Sequence, residues 1–162
     1  MREELLKLIE NKARIDLSDL AVMLGTDEVT VANEIADMEK EGIIRGYYSL
    51  INWEKTNEEI VDAVIEVHVS TDRDFGFDEI AESLYCFEEV KSCYLISGAY
   101  DFLLILEGRT MREISSFVAH KLSPIEYVTG TATHFVMKKY KDCGMLMEDE
   151  GKKKDRREQV SC

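Results

Sequence analysis

Apolar residues recur at helical spacing through the first forty residues of the chain. Three groups of them each predict one short helix with a single apolar face. These groups are Leu5, Leu8 and Ile9; Leu17, Leu20, Ala21 and Leu24; and Val31, Ile35 and Met38. Gly25 is placed to end the second helix in a left-handed conformation, Thr26 to cap the third, and Glu41-Gly42 to stop it. The pattern therefore predicts helix, tight turn, helix, with a short strand from Ile43 to Ile51 leading away.

After a polar stretch from Asn52 to Ile60, the pattern changes to alternating strands and helices. The predicted elements are a strand at Ala63–Val69, a helix at Phe75–Phe87, strands at Val90–Ile96 and Phe102–Leu106, a helix from the Thr110 cap to Pro124, and a strand at Thr131–Tyr140. This order is the split β-α-β-β-α-β arrangement, which is a four-stranded antiparallel sheet with both helices on one face.

The other face of that sheet has no predicted element to cover it. We expect it to bear Val64, Tyr94, Phe102, Leu104 and Phe135, or their neighbours. An exposed apolar patch of this kind usually marks a protein partner, and the simplest partner is a second copy of the chain.

A tight turn at Ser97-Gly98-Ala99-Tyr100-Asp101 joins two of the predicted strands. Backbone N–H groups opened up by Gly98 can bind a carboxylate, and Asp101 can bind an ammonium group, if a neighbouring surface closes over them. A plain hairpin turn explains the same residues, so the sequence leaves both interpretations open.

Composition limits the function classes. The 162 residues suit two small domains, and neither a signal peptide nor an apolar run of membrane-spanning length is present, so we expect a cytoplasmic protein. The four cysteines and three histidines lack zinc-type spacing, so neither a metal nor a cofactor is expected. Without an acid–base pair, a nucleophile–base set or a phosphate-binding glycine loop, we do not expect an enzyme. Acidic and basic runs alternate over residues 147–162, and the tail at 143–162 is predicted to be disordered.

Three segments carry a resemblance to a known family: Leu17–Ala21, Ile35–Tyr47 and Gly98–Asp101. In their order and spacing they are similar to the Lrp/AsnC family of bacterial and archaeal regulators, over nearly the whole chain to about Lys141. The resemblance implies an α+β protein. A winged helix-turn-helix DNA-binding domain (1–50) and a linker (51–61) would precede a ferredoxin-like βαββαβ effector and oligomerisation domain (62–142), which would form dimers and larger rings.

The resemblance also implies two sites. An effector, commonly an amino acid, would bind between dimers near five residues, which are Gly98, Tyr100, Asp101, Thr131 and Thr133. Double-stranded DNA would meet the third helix and the residues after it. The expected DNA-contacting residues are Thr30, Asn33, Glu34, Lys40 and Arg45. Thr30 and Asn33 suit base edges, and Lys40 and Arg45 suit phosphates.

Charge argues against easy DNA binding. The formal net charge is −13, and residues 1–50 hold eleven acidic and six basic side chains. Glu34 stands where the family commonly has arginine. Few basic side chains are therefore present to neutralise phosphates and release their counterions. Oligomers that present several helices to one duplex would offset the weak affinity of each subunit through avidity. We expect a DNA-binding regulator in which the effector shifts the placement of the helices.

Two other functions stay open. Proteins that decarboxylate sirohaem resemble the same two-domain fold, and they need His or Arg to steer the carboxylates of the tetrapyrrole; the candidates are His68, His134, Arg109 and Arg112. Alternatively, the chain is a protein-interaction module that binds through the open sheet or the charged tail.

Overall fold

The structure, a computed structural model, describes residues 1–10, 12, 14–70, 76–108 and 110–148. It divides into two compact units. One contains Met1–Ile51 together with the segment that begins at Lys141, and the other contains Asn52–Tyr140. Arg109 and the predicted disordered tail beyond residue 148 lie outside the described residues. Within the described ranges, no helix combines the length and the apolar character needed to cross a bilayer.

The first unit contains the three predicted helices: α1 (Arg2–Glu10), α2 (Leu17–Leu24) and α3 (Glu28–Lys40). Their apolar faces meet in a core of six buried residues, which are Leu5, Ile9, Leu20, Ala21, Val31 and Met38. Helices this short are marginal alone in water, so this shared core is what stabilises them.

Gly25 ends α2 in the left-handed conformation, with φ 66° and ψ 36°, as predicted. The prediction that Thr26 caps α3 is wrong by one residue. The N–H of Thr26 still donates to the carbonyl of Ala21 (3.0 Å), which completes the end of α2. Asp27 caps α3 instead, and its side chain accepts a hydrogen bond from the N–H of Thr30 (2.9 Å).

The strand predicted between Ile43 and Ile51 is absent, so this segment forms no wing. A strand needs a partner for its backbone groups, and this segment pairs with none of the described residues. A short hairpin of β5 (Lys141–Asp142) and β6 (Met145–Leu146) belongs to the same unit. Its two-residue turn has positive φ at Cys143 (44°) and Gly144 (82°), as a type I′ turn requires.

This hairpin corrects the expectation that disorder begins at residue 143. Residues 143–146 form its turn and second strand. The hydroxyl of Tyr48 donates a hydrogen bond to the Sγ atom of Cys143 (3.3 Å), which ties the hairpin to the segment that follows α3.

The second unit begins with a single 3₁₀ turn at Trp53–Lys55. Its elements are β1 (Val61–Val69), α4 (Phe77–Tyr85), β2 (Val90–Leu95), β3 (Phe102–Gly108), α5 (Met111–Phe117, extended by a π-helical turn at Val118–Leu122) and β4 (Val128–Phe135). The strands lie in the order β2-β3-β1-β4, and every neighbouring pair is antiparallel. The predicted ferredoxin-like βαββαβ arrangement is confirmed. The last strand, however, spans 128–135 and not 131–140.

Strand register decides which side chains meet the helices. Ala63, Ile65 and Val67 of β1 stand opposite Leu106, Leu104 and Phe102 of β3, and all six are buried. These residues therefore form the core under α4 and α5, together with residues of the helices.

The expected open face is only partly correct. Phe102 and Leu104 point to the helices, as does Phe135, which stands opposite Ala63. Since a strand alternates its faces residue by residue, an error of one position moves a side chain to the opposite side. The open face carries Val64 and Tyr94, as expected, with Leu103 and Ile105 beside them.

Replacing Leu104 tests this register. Leu104→Ala should lower the free energy of unfolding by about 2–5 kcal/mol, because it leaves a cavity in a buried core. Leu103→Ala, on the open face, is the matched control and should cost less than half as much. Urea denaturation at several protein concentrations measures both. The register is contradicted if the two losses are equal, or if the loss for Leu104→Ala disappears at high protein concentration.

Candidate functional site

One face of α3 presents a stripe of four exposed residues, none of them acidic. Because successive residues of a helix are about 100° apart, Val29, Asn33, Ala36 and Lys40 fall within about 60° of one another. They lie opposite the buried pair Val31 and Met38, and all four are exposed to solvent. We call these four residues the α3 stripe. Glu28 and Asp37 are exposed on its two flanks.

Arg2 holds two of the carboxylates that argued against DNA binding. Its Nε atom lies 2.7 Å from Oε2 of Glu34, and its two terminal nitrogens lie 2.9 and 3.1 Å from the carboxylate oxygens of Glu41. The two carboxylates raise the pKa of Arg2 above its ordinary value, chiefly through the hydrogen bonds with Glu41. Glu34 is therefore held by α1, away from the α3 stripe, and this placement does not favour the expected contact of Glu34 with DNA. Glu34 and Glu41 are seven residues apart, so both turn towards α1.

Neighbouring side chains also hold two other acidic groups. Glu39 accepts a hydrogen bond from the hydroxyl of Tyr47 (2.9 Å). Asp27 accepts hydrogen bonds from the hydroxyl (2.6 Å) and the N–H (2.9 Å) of Thr30, and these bonds lower the pKa of Asp27. The hydroxyl proton of Thr30 is thus used within the helix cap.

The expected DNA-contacting residues therefore do not form a single surface. Asn33 and Lys40 share the α3 stripe, Arg45 is exposed beyond the end of the helix, Thr30 serves the cap and Glu34 faces α1. Two residues of the stripe, Val29 and Ala36, were not among the expected contacts. The sequence does indicate the place of Val29, because a spacing of four residues puts its side chain on the same helix face as Asn33.

The turn between β2 and β3 contains backbone N–H groups without a hydrogen-bond acceptor among the described residues. The N–H of Ile96 donates to the carbonyl of Asp101 (2.8 Å), which closes the turn. Among the described residues, none accepts a hydrogen bond from the N–H groups of residues 97–100. These groups are available to an anion. Gly98 lies outside the left-handed region, and a Cβ there would meet Ile96 at an ordinary 3.5 Å, so the turn itself does not require glycine.

Asp101 anchors the turn to β1. Its N–H donates to the carbonyl of Val67 (3.1 Å), and its Oδ2 accepts from the N–H of Val69 (2.9 Å). The pairing of β1 with β4 shifts register next to Val69, so the carboxylate satisfies a donor at an irregular end of the strand. Asp101 therefore has a structural role within one chain, and its Oδ1 atom has no partner among the described residues.

The threonine candidates lie on the other side of β1. Thr131 stands opposite Val67 and Thr133 opposite Ile65, and both are half-buried. Asp101 and Thr131 thus approach the same residue of β1 from the two neighbouring strands, about 10 Å apart across two strand spacings. Thr133 is two residues further along β4, and Gly98 and Tyr100 lie in the turn.

The residues considered for tetrapyrrole chemistry are dispersed. His134 lies on the open face, 3.2 Å from a carboxylate oxygen of Glu66, and His68 stands opposite Gly130. Arg112 lies in the first turn of α5. Within the part of the chain that the structure describes, no three His, Cys, Asp or Glu residues are placed to hold a metal ion.

A helix–turn–helix segment and a βαββαβ sheet are the two parts of a known class of transcription regulators. A family model described as the Lrp/AsnC ligand binding domain matches residues 62–146. The uncharacterized HTH-type transcriptional regulator YugG of Bacillus subtilis is 41% identical over 146 residues, which are 90% of this chain and 88% of that protein. The chain belongs to the Lrp/AsnC family.

More distant relatives are also transcriptional regulators. The leucine-responsive regulatory protein of Haemophilus influenzae is 25% identical over 144 residues, which are 89% of this chain and 86% of that protein. A transcriptional regulator of Neisseria meningitidis, solved as a complex with L-Met, superposes with a TM-score of 0.70 at 25% identity, over 87% of this chain and 90% of that one. The relatives are transcriptional regulators, and the expectation that this chain is not an enzyme is confirmed.

Thermal stability tests whether Arg2 binds Glu34 and Glu41. Arg2→Gln should lower the melting temperature of the first unit, because Glu34 and Glu41 are left without their cation. Lys7→Gln, which removes an exposed cation from the same helix, is the control. The helix dipole alone predicts the opposite order, since a cation is unfavourable near a helix N-terminus and favourable near its C-terminus. Thermal unfolding in low and high salt measures the difference, and equal effects of the two variants would refute the assignment.

Two substitutions separate the roles of Asp101. Asp101→Ala should lower the free energy of unfolding by about 1–3 kcal/mol, because the N–H of Val69 loses its acceptor. Asp101→Asn retains an acceptor oxygen without the charge and should cost clearly less. Urea denaturation measures both losses. An equal loss for the two variants would mean that the charge, and not the hydrogen bond, holds the strand.

Proposed function

We propose that the chain is a DNA-binding transcriptional regulator controlled by a small zwitterionic effector, an amino acid. Residues 1–50 act on DNA, and residues 62–142 bind the effector and form the oligomer. The observation that carries the proposal is the α3 stripe. Although the unit is acidic, the side chains of this stripe are uncharged or basic. Glu34, Glu39 and Glu41 form hydrogen bonds with other residues of the unit, away from the stripe.

DNA binding by this unit uses α3 in the major groove, with Asn33 against base edges. Lys40 at the end of the stripe and exposed Arg45 beyond it contact phosphates. Affinity of one unit is low and falls steeply with salt, because few phosphates are neutralised. A homodimer formed through the open face of the sheet, at Val64, Leu103 and Ile105, supplies two copies of α3 and hence avidity.

The turn at 97–101 is the effector site in this proposal. The free N–H groups of residues 97–100 bind the carboxylate of the ligand, and the Oδ1 atom of Asp101 binds its ammonium group. Thr131 and Thr133, whose register partners Val67 and Ile65 are buried on the helix side of the sheet, supply further contacts from a second copy of the chain. The complex of the Neisseria meningitidis relative with L-Met supports an amino acid as the class of ligand. The ligand shifts the populations of oligomer arrangements that place α3 differently.

One experiment tests both activities. The purified chain is mixed with DNA from upstream of its own coding region at low salt, with and without each of the twenty amino acids, and the affinity is measured by fluorescence anisotropy. We expect binding that at least one amino acid changes several-fold. The proposal fails if no fragment binds under any of these conditions.

Variants assign the two activities to their sites. Asn33→Ala should weaken DNA binding about 5- to 150-fold, the range expected for one good side-chain contact to a base. Asn57→Ala, which alters an exposed asparagine of the second unit, is the control. Asp101→Asn should keep DNA binding but lose the response to the amino acid.

A further inference from the structure

Val29 is an exposed apolar residue that the packing of the first unit does not use. As the second residue of α3 it is 68% exposed, and it is absent from the core of six buried residues. Valine is also a poorer helix former than alanine, since its branched side chain loses rotamer freedom against the preceding turn. Neither core packing nor helix stability therefore accounts for a valine at this position.

The neighbours of Val29 determine what it can recognise. Val29 and Asn33 are four residues apart, so their side chains adjoin on the N-terminal half of the α3 stripe. In the same half of the helix, Thr30 gives its hydroxyl proton to Asp27. One branched apolar group and one amide therefore point away from the core, side by side.

The major groove offers one apolar group to such a side chain, the C5-methyl group of thymine. The amide of asparagine suits adenine, whose N6 and N7 atoms form a donor–acceptor pair. An adjoining valine and asparagine thus fit two neighbouring base pairs of the A·T type.

We propose, on the basis of the proposed function, that Val29 is a specificity-determining residue that contacts the C5-methyl group of a thymine next to the adenine contacted by Asn33. Each half-site of the operator then contains one thymine whose methyl group contributes to binding. This contact adds discrimination between sequences without adding a cation to an acidic unit.

Substitution of deoxyuridine for thymine tests this contact, because it removes only the methyl group. The full-length protein first selects its preferred sequence from a random duplex pool at low salt. Each thymine of that sequence is then replaced in turn, and affinities are measured by anisotropy. Wild type should lose about fourfold at one position of each half-site, the effect of burying one methyl group.

Val29→Ala should reduce the preference for the thymine form of that site over the deoxyuridine form, because its shorter side chain buries less of the methyl group. The matched control is Val22→Ala, which removes a side chain that is 82% exposed on α2 and should keep the full preference. Circular dichroism should show unchanged helix content in both variants, because both positions are exposed and alanine is a good helix former.

Three results would overturn the inference. If wild type binds every deoxyuridine duplex as tightly as the thymine duplex, no methyl group is read, although DNA binding stands. If Val29→Ala keeps the preference, another residue reads the methyl group. If the protein selects no sequence, the inference fails; if it binds no duplex of the pool at all, the proposed function fails as well.

Discussion

The DNA-binding role proposed for the first unit depends most on the contacts of Arg2 with Glu34 and Glu41. With Arg2 in place, the carboxylates of Glu34 in α3 and of Glu41 at its C-terminal end point towards α1 and share one cation. The opposite face of α3 then presents Val29, Asn33, Ala36 and Lys40. Phosphates respond to the local potential at a surface as well as to the net charge of a protein. A unit with five more acidic than basic side chains can therefore still offer one face to a duplex.

In the second unit, β1 organises the sheet. It pairs with β3 on one side and β4 on the other, and it forms both hydrogen bonds that anchor Asp101: the carbonyl of Val67 accepts one and the N–H of Val69 donates the other. The turn at 97–101 is thus fixed at its end, while the N–H groups of residues 97–100 are not engaged by described residues. A ligand can bind to those groups without breaking any hydrogen bond of the sheet. As the proposed effector site, this turn would be preorganised, and filling it would cost little conformational entropy.

Local pattern predicted most of the fold, since the three helices, the left-handed Gly25 and the βαββαβ order depend on spacing within short segments. The errors fall where residues that are distant in the sequence determine the structure. The partner of Glu34 is Arg2, thirty-two positions away, and no local period shows it. The burial of Phe102 and Leu104 depends on a register that an apolar run of five residues leaves open. The hairpin at 141–146 follows from positive φ at Cys143, which non-glycine residues seldom adopt.

A shortage of cations also affects specificity. Nonspecific binding comes almost entirely from phosphate contacts, so a unit with few exposed lysines and arginines gains little from random DNA. Contacts to base edges then make up a larger share of the total free energy at the operator. The ratio of specific to nonspecific affinity is the quantity that matters among the many competing sites of a genome. A unit that exposes few cations and binds Glu34 and Glu41 away from the α3 stripe therefore favours discrimination, while the avidity of an oligomer supplies the affinity that each unit lacks.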